Sequence, residues 1–206
     1  MGLVGCVLAR TAYLTFLSEV FPEMVRDEHA PYEMLTISSS SFLMSNYHRP
    51  LVPGATVFFT VTLADRRSDL LVREIGLLRD AFRRTLEQRP FRVDTIVVLP
   101  DHLHAILTLP PGDTDYATRW RQIKSRFSRR LPKGPLRSSH VARAERGIWQ
   151  RRFWEHHIRD AEDYREHVAY CWHNPVKHGL VERASDWPYS SLHRDIGSGR
   201  AGAEWS

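Results

Sequence analysis

The chain has 206 residues, 24.0 kDa and 42% hydrophobic residues, enough for one domain of generous size or one domain with a loose extension. A net charge of +5 and a pI near 9.5 point to an anionic partner, nucleic acid being the usual one. Two cysteines, Cys6 and Cys171, exclude a disulfide framework and make a reducing cytoplasm the expected compartment, while no apolar run approaches the roughly 18 residues of a membrane span.

Residues 1–43 differ in character from the rest of the chain. Leu3 to Leu17 is moderately apolar, but Arg10 interrupts it and no basic segment precedes it, which argues against a signal peptide. Ser38 to Ser41 has linker composition, and clear periodicity begins at Tyr47. The expectation is an N-terminal extension over 1–43, disordered or lying upstream of a true start at Met44. A domain over 44–196 comes next, then a short tail over 197–206.

Within that domain, Pro53-Gly54 is a turn, and Thr56 to Leu63 is rich in β-branched and aromatic residues, hence a strand. Ser68 or Asp69 can cap a helix whose apolar positions Leu71, Ile75, Leu78, Phe82 and Leu86 recur at spacings of three and four. Pro90 stops it. A second strand, Phe91 to Leu99, passes through Pro100-Asp101 into a third, His102 to Leu109. So short a link implies antiparallel neighbours.

Thr114 to Leu131 comes next as a helix with Tyr116, Trp120, Ile123, Phe127 and Leu131 on one face. Pro132 to Gly147 is a long basic loop, and Ile148 to Ile158 contains the fourth strand. Asp160 caps a last clear helix, Ala161 to about His173, with Asp163 placed to return a capping-box contact. Asn174-Pro175 ends it. The order βαββαβ, with an additional C-terminal helix, is the ferredoxin-like α+β arrangement with an antiparallel sheet.

The charge is concentrated. Thr118 to Arg152 holds twelve basic residues against one acid, Glu145. Six lie on the helix (Arg119, Arg121, Lys124, Arg126, Arg129, Arg130), four in the loop (Lys133, Arg137, Arg143, Arg146) and two beyond it (Arg151, Arg152). With Trp120, Phe127 and Trp149 interleaved, the block has the composition of a polyanion footprint rather than of a merely solvated face.

The chemistry centres on His102 and His104. Two apart on a strand, both imidazoles emerge on one face and form half of a divalent-metal site, although the pair alone does not identify one. A metal needs a further ligand, and the Asn174 side-chain oxygen is a hard donor suited to Mg²⁺ or Mn²⁺. Tyr170, four residues earlier, falls on the same helical face if the last turn holds. A metal-bound phosphodiester beside a phenol is a phosphotransfer site, and a phenol with an unperturbed pKa near 10 needs that metal. Alternatives stay open at this level. Tyr164 and Tyr189 are equally available hydroxyls, His102 could belong to a turn, and His104 could be a satisfied core histidine. No Cys-rich zinc spacing, Gly-rich phosphate loop or nucleophile elbow is present.

Several motifs carry a resemblance. They are Phe58-Phe59-Thr60-Val61, the run Val97-Val98-Leu99-Pro100-Asp101-His102-Leu103-His104, and Trp120-Arg121-Gln122-Ile123-Lys124. Further on come Ile148 to His156, Asp163-Tyr164-Arg165, Tyr170, Asn174-Pro175-Val176-Lys177-His178-Gly179 and Asp186-Trp187-Pro188. In this order, from about Tyr47 to Arg194, the chain resembles the HUH-type single-tyrosine transposases, and in particular the REP-associated tyrosine transposases of bacteria. Residues 1–43 match nothing in that family.

The resemblance implies a ferredoxin-like fold with His102 and His104 as metal ligands, Asn174 as the third ligand and Tyr170 as the nucleophile. It implies single-stranded DNA with hairpin-forming palindromic repeats as partner, and cleavage through a covalent 5′-phosphotyrosine that leaves a free 3′-hydroxyl. The basic residues Arg119, Arg121, Lys124, Arg126, Arg129, Arg130, Arg151 and Arg152 would line the DNA path. A cytoplasmic, nucleoid-associated monomer or homodimer is expected. A catalytically inactive relative that binds structured single-stranded DNA or RNA is the competing reading, and a metal hydrolase using activated water a third.

Overall fold

A computed structural model describes residues 51–202 and Trp205, except Arg137 and Arg143 and the side chain of Ser139. The expectations for residues 1–43, the start at Met44 included, lie outside the described residues. Four strands carry the fold: β1 (Thr56–Thr62), β2 (Arg92–Val98), β3 (His102–Thr108) and β4 (Trp154–His157). They form one sheet in the order β2-β3-β1-β4, and every neighbouring pair is antiparallel. The expected βαββαβ ferredoxin-like arrangement is present.

Strand alternation divides the sheet into two chemically different faces. Val57, Phe59, Val61, Leu103, Ala105 and Leu107 point to one of them and are buried. Two helices cover that face: α2 (Ile75–Gln88), preceded by the single turn α1 (Leu70–Arg73), and α3 (Tyr116–Arg129). Tyr116, Trp120, Ile123 and Phe127 of α3 enter the same core, with Trp120 edge-on to both Phe59 and Phe82. Burial of a ring as large as Trp120 is worth about 3–5 kcal/mol against truncation to Ala. The expected single helix from Ser68 is broken at Glu74 into α1 and α2, and Ser68 Oγ accepts from the Leu70 backbone N–H. The long basic loop contains a short helix, α4 (Ser138–Val141), and its base is pinched shut. There the Gly134 N–H donates to the Arg146 carbonyl, and Gly147 sits at φ +68°, where a Cβ would lie 2.6 Å from the Pro135 carbonyl oxygen. Only glycine fits both constraints.

The other face carries Thr60, Thr62, His102, His104 and Phe58, and α5 (Ala161–Lys177) packs against it. Asp160 caps α5 as expected, accepting from the Glu162 and Asp163 N–H groups. Two details differ from the sequence-based expectation. The helix runs past Asn174-Pro175 with the proline inside it, and the His178 N–H still reaches the Asn174 carbonyl beyond it. It closes instead at Gly179, in the left-handed region at φ +66°, with Gly179 N–H on Val176 O and Leu180 N–H on Pro175 O. Asp163 does not return a contact to its cap residue. Its buried carboxylate takes the Arg159 backbone N–H (2.9 Å) and guanidinium (3.1 Å), and His156 (2.9 Å).

Burial would raise the Asp163 pKa, but the hydrogen bonds from Arg159 and His156 outweigh it and hold the group at about 2. The folded value lies below the ordinary 3.8, so the stabilisation is complete above about pH 4 and is lost as the pH falls toward 2. The shift corresponds to about 2 kcal/mol. Urea titrations of the wild type and Asp163→Asn should therefore differ most at neutral pH, and the gap should close between about pH 4 and 2.

The outer side of α5 is covered by a small second core of Trp172, Ala184 and Leu192, built by a 3-10 turn (Ala184–Asp186) and α6 (Leu192–Gly197). Trp205, in the tail, packs edge-on against Trp172. Residues 189–191 pair with the exposed edge of β2, through Val98 N–H to Tyr189 O and Ser191 N–H to Ile96 O. This covers a strand edge that would otherwise invite pairing with another chain. No helix among the described residues is long and apolar enough to cross a membrane.

Candidate active site

His102 and His104 occupy the centre of the site face, opposite Thr62 and Thr60 of β1, and both are buried. Each ring is held through Nδ1. His102 Nδ1 lies 2.8 Å from Asp101 Oδ1, and His104 Nδ1 lies 2.9 Å from Thr60 Oγ1. Anchoring at Nδ1 leaves Nε2 as the atom for a further partner, the arrangement in which imidazoles bind metals. Asp101 is itself half-buried, but the His102 contact and Arg66 at 2.8 Å keep it ionised, with a pKa below the ordinary value. Burial, reinforced by His102 and His178, pushes the His104 pKa well down, so its ring is neutral at physiological pH. The two rings meet edge to face with centroids 5.0 Å apart.

α5 lays a stripe of residues across the pair. Tyr170, Asn174 and His178 recur every four residues and so share one side of the helix. Tyr170 stands over His104 at 5.1 Å, and His178 stands over His102 at 5.1 Å. Asn174 lies midway between Tyr170 and His178 along the same side of the helix. Its amide is buried, with neither Oδ1 nor Nδ2 in hydrogen-bond geometry, although it is close enough to Tyr170 to favour the ionised phenol slightly. Burial dominates at Tyr170 and pushes the phenol up to about 12. His178 is exposed as a residue, but desolvation of its ring against the site face and then His102 push it down to about 4. Lys177 Nζ lies 5.7 Å from the centre of the Tyr170 ring.

The structure thus brings His102, His104, Tyr170 and Asn174 to one place. It also adds His178 and Lys177, which sequence reasoning does not single out. The four-residue spacing 170, 174, 178 is the signal that could have found His178. Tyr164 and Tyr189 are not in ring contact with the histidine pair; Tyr189 packs on Trp187 and on the core of the opposite face.

The basic residues lie differently from the expectation. α3 covers the face opposite the histidines, so its cations do not border the site directly. Arg119 is only 1% exposed and cannot reach DNA. It donates to the Asp113 carboxylate and to the Asp115 and Pro90 carbonyls, tying the helix start to the preceding loop. Arg126 donates to Thr85 and Gln88 of α2, Lys124 to the Gln150 carbonyl, and Arg151 pairs with Glu145. Arg121, Arg129, Arg130 and Arg152 are exposed, Arg130 with Asp80 at 3.5 Å. Phe153 and Trp149 pack against the core, whereas Trp154 is 47% exposed and lies on the site face opposite Thr60.

No family model matches the chain. It is 46% identical over 163 residues, 79% of its own length and 92% of the relative's, to a REP-associated tyrosine transposase of Escherichia coli (strain K12). A putative REP-associated tyrosine transposase of Haemophilus influenzae (strain ATCC 51907 / DSM 11121 / KW20 / Rd) is 46% identical over 155 residues, covering 74% of this chain and 88% of the relative. The solved structure of a REP-associated tyrosine transposase bound to a REP hairpin matches at a TM-score of 0.68 and 46% identity, over 79% of this chain and 92% of that one. Identity at this level, over nearly the whole of each relative, places the chain in the family of REP-associated tyrosine transposases.

Proposed function

We propose that this chain is a metal-dependent single-strand DNA endonuclease and strand transferase, acting on palindromic-repeat hairpins through a covalent 5′-phosphotyrosine. The observation that carries the reading is the Tyr170 ring seated 5.1 Å from His104, one of two adjoining imidazoles whose Nδ1 atoms are both anchored. The relative bound to a REP hairpin supports the choice of substrate.

The donor set fits a hard divalent cation. His104 is neutral, and the buried Asn174 oxygen lacks a partner that a cation would supply. Mg²⁺ or Mn²⁺ held by His102, His104 and Asn174 would polarise the scissile phosphodiester and offset its developing negative charge. Tyr170 Oη attacks phosphorus as the bond from phosphorus to the 3′-oxygen breaks. The phenol gives up its proton to solvent as it attacks, and the leaving 3′-oxygen takes one from solvent and departs as the 3′-hydroxyl, so no net proton is consumed. One phosphoester replaces another, so the bond energy is kept for strand transfer and no nucleotide cofactor is consumed. A phenol at about 12 keeps its proton until it attacks, and the Lys177 ammonium beside the ring favours the charge that forms. Trp154, exposed on the site face, offers a stacking surface for an unpaired base.

Mixing the protein with a hairpin-bearing oligonucleotide and Mn²⁺ tests the reading. A 3′-labelled strand should migrate with the protein on a denaturing gel, and a 5′-labelled strand should be released with an extendable 3′-hydroxyl. EDTA should suppress both. Hairpin retention with no adduct across varied repeats would support a pure binding module instead.

Along the DNA path, the exposed Arg121, Arg129, Arg130 and Arg152 supply the main phosphate contacts, and the engaged Lys124, Arg126 and Arg151 have a lesser part. Contacts to phosphate set affinity and its salt dependence. Replacing Arg129 and Arg130 together by Ala should weaken binding to all hairpins alike and lower the salt slope by about 1–2, read by anisotropy across a NaCl series. Cleavage at saturating DNA should change little, because these residues lie on the other side of the sheet.

A further inference from the structure

α5 meets the sheet through a file of rings. His156 of β4 lies face to face with His167 of α5, with centroids 4.6 Å apart and planes 11° apart. His167 packs on Phe58 at 4.8 Å, and Phe58 in turn touches both His104 (5.5 Å) and Tyr170 (5.9 Å). At the outer end of this file sits Asp163, 2% exposed. Its carboxylate accepts from His156 Nε2 and from Arg159 N and Nε, and Oδ1 lies 3.0 Å from His167 Nδ1. His167 Nδ1 also faces the Asp163 carbonyl at 2.8 Å. Asp163 precedes Tyr170 by seven residues, two helical turns along the same face.

We infer that Asp163, acting through His156 and His167, is the positioning residue that fixes the seat of α5 on the sheet and with it the aim of the Tyr170 hydroxyl. The inference rests on the phosphotransfer reading above. Its physical basis is that α5 reaches Phe58 of β1 and His156 of β4 through stacked and edge-on rings, and flat rings can slide. A carboxylate that simultaneously engages β4, the residue before the cap and the helix's own second turn restricts both register and rotation. Nucleophilic attack needs that fixity, since an error of about 1 Å in the attacking atom can cost about 10²-fold in rate.

The same three side chains offer donor atoms within 4.8 Å of one another, so a second cation site has to be weighed. Two features oppose it. A cation lies near the plane of every imidazole that binds it, and face-to-face rings share no such point. The carboxylate is also already neutralised by the Arg159 guanidinium. The cluster is a hydrogen-bonded clamp.

The test measures single-turnover adduct formation by the full chain on a hairpin oligonucleotide with Mn²⁺, well below the melting temperature of each variant. Asp163→Asn should form adduct about 10²-fold more slowly at saturating DNA, with hairpin Kd within about threefold of wild type. His156→Ala should be about tenfold slower, and His156→Gln, whose amide N–H can replace Nε2–H, should recover to within about threefold. Wild-type rates in Asp163→Asn and His156→Ala would overturn the inference. So would an equal loss in His156→Ala and His156→Gln accompanied by a parallel loss of affinity, the mark of a merely damaged fold. Manganese or zinc retained by a His102→Ala/His104→Ala chain, and lost on adding Asp163→Asn, would overturn the clamp in favour of a cation site. Absence of any adduct in the wild type would instead overturn the phosphotransfer reading, a result distinct from a wild-type rate in Asp163→Asn.

Discussion

Tyr170→Phe should lower the rate of covalent adduct formation by at least about 10⁴-fold, the scale on which loss of a nucleophile is felt. Hairpin affinity should stay within about twofold, because the substitution removes one oxygen and keeps the ring that packs on Phe58 and His104. The separation of the two quantities is informative. A fold defect would move both, whereas loss of the attacking atom moves only the rate. The variant also discriminates between chemistries. If water activated at the histidine pair were the nucleophile, Tyr170→Phe would still cut and would leave no protein on the DNA. The environment of Tyr170 bears on this directly. A phenol pushed up to about 12 stays protonated at neutral pH, so it becomes a nucleophile only where a cation and a bound phosphate favour the loss of its proton.

Substituting His102 and His104 together by Ala should suppress cleavage to the level seen with EDTA, again by at least about 10³-fold. Two imidazoles presented from one strand are most of the proposed ligand set, and Asn174 alone is a weak single donor. Binding should survive within about threefold, because the exposed arginines assigned to the DNA path lie elsewhere in the fold. Calorimetry should show Mn²⁺ binding in the wild type and none in the double variant. Both rings are buried, so truncation leaves cavities costing about 1–3 kcal/mol each, and circular dichroism must first show the variant folded at the assay temperature. His104→Gln provides a smaller perturbation of the same ligand. Cutting that persists in the double variant would remove the histidine pair from the chemistry.

Much of this site is legible in the order of residues. Period-two alternation puts His102 and His104 on one face and Leu103 and Ala105 on the other, and the register of β3 against β1 bears that out. The Asp160 cap is legible because a side-chain acceptor ahead of an amphipathic run has few other uses. The end of α5 is less so. Proline disfavours a helix by removing one N–H and crowding the carbonyl four residues back, yet here the helix packing carries it past Pro175, and the left-handed residue Gly179 is what closes it. Continuing the helix past Asn174 places His178 on the same stripe. Arg119 departs from expectation for a different reason. It lies three residues after Tyr116 and four before Ile123, on the apolar side of α3, so its spacing already marks it as inward-facing. What spacing cannot supply is the side of the sheet on which each helix lands. That is a property of the chain's crossovers, and it separates the α3 cations from the histidines and brings Asp163 to His156.

The most direct measurement of the central claim is peptide mapping of the adduct that the wild-type chain forms with a hairpin oligonucleotide and Mn²⁺. Trypsin should separate the three candidate hydroxyls, since Arg159, Arg165, Lys177, Arg183 and Arg194 leave Tyr164, Tyr170 and Tyr189 on different fragments. Nucleotide mass is expected on Glu166–Lys177 alone, linked through a 5′-phosphate to Tyr170. Attachment at Tyr164 or Tyr189, or a cut strand with no peptide bound, would contradict that assignment.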